Sequence, residues 1–413
     1  MRNQSGKDIA IGFVTGRRGF RKLLTTYAFR WRTIVAENNL SIHLIVAYDL
    51  DYNHTKIEDY VALRQDVRAV FASVSFIGPE RIRRMVKTVA DAGILPADQA
   101  ARLFEKGYAG KRNSVLFEAI RRKMDALIFL DDDEYPLAVT HENRTALWSG
   151  QDVFSEHVLA LGGQDVTNGY HCGYISPIPH LDFDATLSEG DFKTFIEAVS
   201  NEAFDWDGLK KIMAAGGVTY ADVTVLKRHQ VRPLSPGSGD GLPLSGSNLG
   251  INLRRPERIP PFFNPLGARG EDTFFALALD HRQVARVPVY TFHDGFMQYP
   301  HLLSGVLPLH LKRIEAADAG VAERFYRACL GWIRYKPLYQ WLTSKARQAD
   351  FSAAAKLTGE QLRATLSKIA AYFHVPAFMR LEEEYEKFRR HVYQDAQMFQ
   401  INRQNWQRLI GAL

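Results

Sequence analysis

Cysteine is nearly missing from this chain: Cys172 and Cys329 are the only two in 413 residues. Two thiols so far apart cannot build the framework of a disulfide-stapled domain, and they lack metal-finger spacing. A reducing cytoplasm is the expected compartment. Nothing reaches the roughly 18 consecutive apolar residues of a spanning helix. The basic N-terminus leads into an apolar run broken at Gly12 and Thr15, so it reads as a first strand and not as a signal peptide. No zinc finger, RNA-binding aromatic motif or concentrated basic tail accompanies the formal charge of +6, so nucleic acid is not expected as a partner. The mild positive bias suits phosphate-bearing substrates or an anionic membrane surface. No convincing internal repeat is present.

What remains is an ordinary globular composition, 46% hydrophobic and 24% charged, long enough for a large core plus a smaller unit. Asp8–Thr15 reads as a buried strand followed by the turn Gly16-Arg17-Arg18-Gly19, then a helix over Arg21–Glu37. Ser41–Tyr48 is a second strand ending in Asp49, and Ala69–Phe76 a third. Helices are expected over Glu80–Ala92, Ala97–Lys106 and Ser114–Lys123, the last leading into the strand Ala126–Leu130. Strand alternating with helix implies a doubly wound parallel sheet that binds ligands at the carboxyl ends of its strands. Beyond Trp148 the pattern changes. Val218–Lys227 alternates like a half-exposed strand. Arg232–Ser247, rich in Pro, Gly and Ser, reads as a loop over an active site or as an interdomain linker. Leu249–Leu253 and Gln283–Tyr290 are strand-like, Glu271–Asp280 helical, and the chain from His301 onward mainly helical.

The chemistry is concentrated where Ala126–Leu130 stops in Asp131-Asp132-Asp133-Glu134. Carboxylates crowded at one sheet edge repel each other unless a cation joins them, and Mg²⁺ or Mn²⁺ prefers such oxygen ligands. Thr15, Gly16 and Arg17 offer amides and a guanidinium to a diphosphate. Asp49 is placed to accept hydrogen bonds from a base or ribose. Gly107–Asn113, carrying Lys111, Arg112 and Asn113, precedes the helix before the acidic strand. Glu271-Asp272 and His293-Asp294 follow later.

In this order the motifs resemble the GT-A glycosyltransferases of the family 2-like type, over roughly residues 8–300. The resemblance implies an α/β, GT-A (Rossmann-like) fold with a mostly parallel central sheet. A catalytic domain would span 1–300, with a nucleotide-sugar half to about 135 and an acceptor half beyond it. Residues 301–413 would form a helical extension. It further implies transfer from a UDP- or GDP-sugar to a hydroxyl of a glycan, glycolipid or surface polysaccharide, with Mn²⁺ or Mg²⁺ as cofactor. Asp133, Asp131 and His293 would hold the metal. Asp132 and Asp131 would share contacts to the nucleotide, Asp49 would bind the base, and Lys111, Arg112 and Asn113 would lean over the donor. Asp272 would be the base of an inverting reaction, with Glu271 binding acceptor or standing second for that role.

Each feature has a plainer reading. Glu271-Asp272 complements a helix N-terminus, and a lone His such as His293 is more often a satisfied core residue. Arg17, Arg18, Lys111 and Arg112 fit solvated surface charge, and Asn168–Pro179 fits sheet packing as well as acceptor binding. The basic and aromatic stretch Arg324–Arg347 suits either the inner face of a membrane or packing on the catalytic core, with Pro337 expected to interrupt any long helix. Two rival functions stand beside transfer: a sugar-nucleotide nucleotidyltransferase, and a non-catalytic carbohydrate-binding protein.

Overall fold

Side chains of Lys7–Thr15 alternate between two buried faces, which a strand does when both sides of its sheet are covered. The computed structural model describes residues 7–38, 40–51, 53–104, 107–143, 145–200, 206–235, 241–280, 282–344 and 348–413, and places this strand, β1, in the middle of the sheet. Ile9, Ile11 and Phe13 enter one core, Ala10 and Val14 the other. The other main strands are β2 (Leu40–Tyr48), β3 (Ser73–Ile77), β4 (Ala126–Leu130), β5 (Val166–Gly173), β6 (Leu249–Asn252) and β7 (Val284–His293). Their order is β3-β2-β1-β4-β6-β5-β7, with the short strand Glu134–Tyr135 beyond β7. β1 to β4 are mutually parallel, β6 runs antiparallel to both β4 and β5, and β7 is parallel to β5. This is the mostly parallel α/β sheet that the strand and helix alternation implies.

The chain builds outward from β1 in both directions, with β2 and β3 on one side and β4 on the other. Such a switch point leaves a crevice at the carboxyl ends of the two diverging strands, here Thr15 and Leu130. The helix Gly107–Arg121 packs closely over β1 at Gly12, where a Cβ would lie 2.8 Å from the Val115 side chain. Small size at Gly12 thus sets how near that helix, with Arg112, approaches the crevice.

Four local expectations are corrected. The third strand begins at Ser73, because the residues before it complete the helix Gln65–Arg68 and its turn. Gly107–Asn113 forms the first turns of the helix to Arg121 instead of a segment preceding it. Val218–Lys227 is not a strand: Asp222 accepts a hydrogen bond from the Thr224 amide and caps a helix over Val223–Arg228. Pro337 lies inside the continuous helix Val321–Thr343. Burial of Ile333 and Leu338 on either side of it outweighs the roughly 3 kcal/mol that an interior proline costs. A hairpin over Leu137–Glu142 and Thr145–Gly150 was not anticipated. Part of the loop Arg232–Ser247, residues 236–240, lies outside the described residues, as do 105–106 of the expected helix to Lys106.

The C-terminal helices share a core with the helix Glu189–Val199: Phe192, Phe195 and Ile196 pack with Phe325, Cys329, Ile333, Leu362 and Phe378. Within the basic and aromatic stretch, Phe325, Tyr335 and Tyr339 are buried, so packing claims those aromatic faces; residues 345–347 are outside the described set. Among the described residues no helix is long and apolar enough to cross a membrane.

Beneath the crevice lies a buried polar network. His157 is fully buried between Thr167 Oγ1 (2.7 Å) and Asn248 Oδ1 (2.8 Å). The Asn248 amide nitrogen donates to the Tyr170 carbonyl, so its oxygen accepts from His157 Nε2–H and Thr167 donates to Nδ1. Burial holds the ring neutral and pulls its pKa from 6.5 down to about 4. Between those values the unfolded chain binds a proton that the folded chain refuses, so stability contributed at this site falls on acidification from 6.5 to 4. Chemical denaturation across that window should show a shallower acid-side loss for His157→Gln than for the unsubstituted chain, although the variant is less stable at neutral pH. Parallel slopes would contradict the assignment.

Candidate active site

The strand β4 delivers its carboxylates straight into the crevice. Thr15, the last residue of β1, donates its hydroxyl to Asp132 Oδ2 at 2.6 Å. Arg17, in the following turn, bridges two acids, with Nε 3.1 Å from Asp132 and Nη2 2.7 Å from Asp133. From the far edge of the sheet, His293 at the end of β7 puts Nε2 3.2 Å from Asp133 Oδ2. Its Nδ1–H donates to the Tyr174 carbonyl at 2.7 Å, which fixes the ring so that Nε2 faces the acids. Glu134 points to the other side, into a buried cluster of Ser247, Thr291 and His171.

The opposite wall is the start of the helix Glu271–Ala278. Gly270 before it is left-handed (φ 91°), and a Cβ there would meet the Tyr335 ring at 2.9 Å, so the C-terminal helix Val321–Thr343 fixes this turn from behind. Arg112 joins the two walls. It lies 3.2 Å from Asp131 and 3.4 Å from Glu271, donates to the Gly246 carbonyl, and is flanked by the rings of Phe129 and Phe262 at 5.2 and 5.6 Å. The loop Ser245–Ser247 closes a third side. Its Gly246 amide donates to Asp272 Oδ2 at 3.3 Å, and the Ser247 hydroxyl to Glu134 at 2.7 Å. Together these elements enclose a cavity of about 200 Å³, to which Tyr108 and Arg269 also contribute.

Crowded carboxylates set the electrostatics. Burial raises Asp131 to about 8, against the pull of Arg112 and with help from Glu134, Asp133 and Asp132. Its side chain keeps 32% exposure, so water at the cavity mouth tempers that shift. Burial and then Asp133 raise Asp132 to about 6, although Arg17 opposes them. Asp133 is also buried, but the charge and hydrogen bond of His293 hold it well below the usual carboxylate range. Burial would depress His293, and Asp133 instead lifts it to about 9. Burial and the neighbouring Asp272 raise Glu271.

Of the residues singled out from sequence, Arg17, Arg112, Asp131, Asp132, Asp133, Glu271, Asp272 and His293 line one cavity. Thr15 acts on it through Asp132, and the Gly16 amide also bonds that carboxylate. Asp49 and Lys111 form an ion pair at the end of β2, 2.5 Å apart and outside the cavity lining. Asn113 does not face the cavity. Its amide donates to the Leu103 and Phe262 carbonyls and accepts from the Phe262 backbone, so its side chain is spent on joining segments. Trp148 donates to the Pro308 carbonyl and stacks edge-on against Phe292, serving the core. Asp131, Asp133 and His293 are not drawn into a tight trio. Among the described residues the trio whose ligand atoms all lie within 4.8 Å of one another is His180, Asp182 and Glu315, away from this cavity.

Sequence reading missed Ser245, Gly246, Ser247, Tyr108 and Arg269 as individual lining residues. The glycine and serine content of the loop was a signal for its position, not for its partners. The residue that positions it is Asn168, which donates to the carbonyls of Ser245, Ser247 and Asn248 (3.0–3.1 Å) and accepts from the Ser245 amide. Asn168→Ala would leave those buried groups unpaired and should lower stability by about 2 kcal/mol, read as a lower urea midpoint. An unchanged midpoint would contradict this anchoring.

No family model and no curated protein matches the chain. Among solved structures the chain is similar to a mycobacterial protein, with a TM-score of 0.34 and 9% identity, covering 80% of this chain and 75% of that one. It is also similar to residues 1–349 of S. aureus TarS in complex with UDP-GlcNAc, with a TM-score of 0.31 and 12% identity, covering 94% of this chain and 92% of that one. Likenesses at these identities and scores assign no residue of the cavity.

Proposed function

We propose that this chain is a metal-dependent glycosyltransferase of the GT-A kind, moving a sugar from a nucleoside-diphosphate sugar to an acceptor hydroxyl. The observation that carries the reading is the opposition of two acid sets across one cavity at the β1/β4 switch point: Asp131–Asp133 with His293 on one wall, Glu271-Asp272 on the other. A nucleotidyltransferase needs the first set; the second gives the cavity a base facing it.

In ligand chemistry the donor set fits Mg²⁺ or Mn²⁺, though Asp131 stands off from Asp133 and His293 and would have to close on the ion. The set offers hard carboxylate oxygens from Asp131 and Asp133, and an imidazole nitrogen whose partner nitrogen is already committed to the Tyr174 carbonyl. When bound, such an ion supplies Lewis-acid stabilisation of the charge on a departing diphosphate. Arg17, already spanning Asp132 and Asp133, stands where it can also meet phosphate oxygens. The Asp49–Lys111 pair at the end of β2 would bind the base and ribose. Asp272 accepts one long bond from the Gly246 amide and one from the adjacent Thr273 amide. Its remaining lone pairs can take the proton from the acceptor hydroxyl. As that oxygen bonds to the anomeric carbon, the bond to the diphosphate breaks with inversion. Glu271, held toward its neutral form beside Asp272, would hydrogen-bond the acceptor. Residues 1–135 would thus serve the donor, 136–300 the acceptor, and 301–413 would brace the cavity. The acceptor class is a glycan or lipid-linked hydroxyl.

Purified chain incubated with a panel of nucleotide sugars and Mn²⁺ should release nucleoside diphosphate. Asp133→Asn and Asp272→Asn should each lower the rate by roughly 100-fold or more, the former also removing the dependence on Mn²⁺. Release of pyrophosphate when the chain is given a nucleoside triphosphate and a sugar 1-phosphate would point to nucleotidyl transfer instead, and a near-normal rate for Asp272→Asn would remove it as the base.

A further inference from the structure

We infer that the acceptor is a sugar bearing an oxyanion, a phosphate or a carboxylate, and that Arg269 reads that group at the rim of the cavity. The inference rests on the proposed transfer reaction for the identity of the acceptor wall, where Arg269 stands two residues before Glu271. Charge pairing in the cavity is uneven. Five carboxylates line it, Asp131, Asp132, Asp133, Glu271 and Asp272, together with the cations Arg17, Arg112, Arg269 and His293. Arg17 is committed to Asp132 and Asp133, Arg112 to Asp131 and Glu271, and His293 to Asp133. Among the described residues, Arg269 is the lining cation that has no hydrogen bond or ion pair.

An exposed arginine without a partner is ordinarily solvated charge, free to swing. This one is held. Arg334 Nη1 donates to the Gly267 carbonyl at 3.1 Å, and Asn264 Nδ2 donates to the Ala268 carbonyl at 3.1 Å. Gly270 is closed in by the Tyr335 ring, so the backbone is fixed on both sides of Arg269. Its stem runs over Gly331, buried within the helix Val321–Thr343, where a Cβ would stand 3.3 Å from Arg269 Cδ. Glycine weakens a helix interior; here its small size leaves a groove for the arginine stem. A guanidinium on a pinned backbone and a packed stem loses little freedom when it binds. Its charge already acts on the site: burial and then Asp272 raise Glu271, while Arg112 and Arg269 pull it back.

The rim also offers a face for a sugar ring. Tyr108 lines the same cavity and is 40% exposed. Asn264, which holds Ala268, also accepts from the Ala109 amide at 3.3 Å. One side chain therefore ties the backbone next to Tyr108 to the backbone next to Arg269. A sugar ring lies against an aromatic face, and a guanidinium forks a phosphate or carboxylate. The five carboxylates repel such a group from the interior, so it stays at the rim with Arg269 while a hydroxyl of the same sugar turns inward to Asp272. A neutral acceptor makes no use of an unpaired guanidinium at that place.

Binding measured apart from turnover tests the inference. In the presence of UDP and Mn²⁺ at low salt, the chain is titrated with glucose-, galactose- and mannose-based oligosaccharides, each neutral, as the 6-phosphate and as the uronate. One anionic series should bind roughly tenfold or more tightly than its neutral parent, and the series that does so separates phosphate from carboxylate. Arg269→Gln, an exposed substitution, should abolish the preference; Arg269→Lys should keep part of it, because the charge survives without the fork. Equal binding of charged and neutral probes, no binding by any of them, or a preference that survives in Arg269→Gln would overturn the assignment. A loss that falls instead on UDP affinity would place Arg269 on the donor and overturn it as well. Donor turnover separates this inference from the reading it rests on. Nucleoside diphosphate release without an anionic preference removes the rim site and leaves the transferase; a preference lost in Arg269→Gln, with no release from any donor, supports the rim site and removes the transferase.

Discussion

The mutual repulsion of the carboxylates at the end of β4 is the constraint around which this fold is arranged. Three acids converge there, and each is met by a cation brought from a different part of the chain: Arg17 from the turn after β1, Arg112 from the helix packed over Gly12, His293 from the end of β7. These partners do not fully neutralise the group, since burial and neighbouring charge still raise Asp131 and Asp132. Under the proposed reading, a divalent ion would supply the positive charge that this cluster is short of.

Around that cluster the supporting structure is layered. Asn168 holds the Ser245–Ser247 loop from below, and His157 and Asn248 extend the same network beneath the sheet. The C-terminal helices brace the other wall: Tyr335 fills the space against Gly270, and the stem of Arg269 would be 3.3 Å from a Cβ at Gly331. The extension is therefore mechanically continuous with the cavity, because the helix start carrying Glu271 and Asp272 is set by its packing.

Much of this was legible before the fold was known, for identifiable reasons. β1, β2 and β4 are long apolar runs buried on both faces, so their identity does not depend on a partner, and their carboxyl ends follow directly. The acids stood out because an apolar strand stops in four carboxylates, and Arg17 because it follows the end of β1; Arg112 and His293 were singled out through the order of motifs in the GT-A resemblance, and the structure brings Asp131, Asp132, Asp133 and these three to one cavity. Asn113 could not be placed from sequence: an amide binds backbone as readily as ligand, and only the approach of Phe262 decides. Val218–Lys227 alternates by chance, and the capping Asp222 outweighs that pattern. Pro337 is tolerated because long-range packing holds the helix on both sides of it. The loop was expected from its Pro, Gly and Ser content, but its anchoring by Asn168 was invisible because those bonds span almost 80 residues of sequence.

Manganese-edge anomalous diffraction from crystals soaked with Mn²⁺ and a nucleoside diphosphate tests the central claim most directly. The account predicts a peak in the cavity bonded to Asp133 and His293, with Arg17 displaced from the acids toward phosphate oxygen. An empty cavity with Arg17 still bridging Asp132 and Asp133, under conditions that bind the nucleotide, would contradict it.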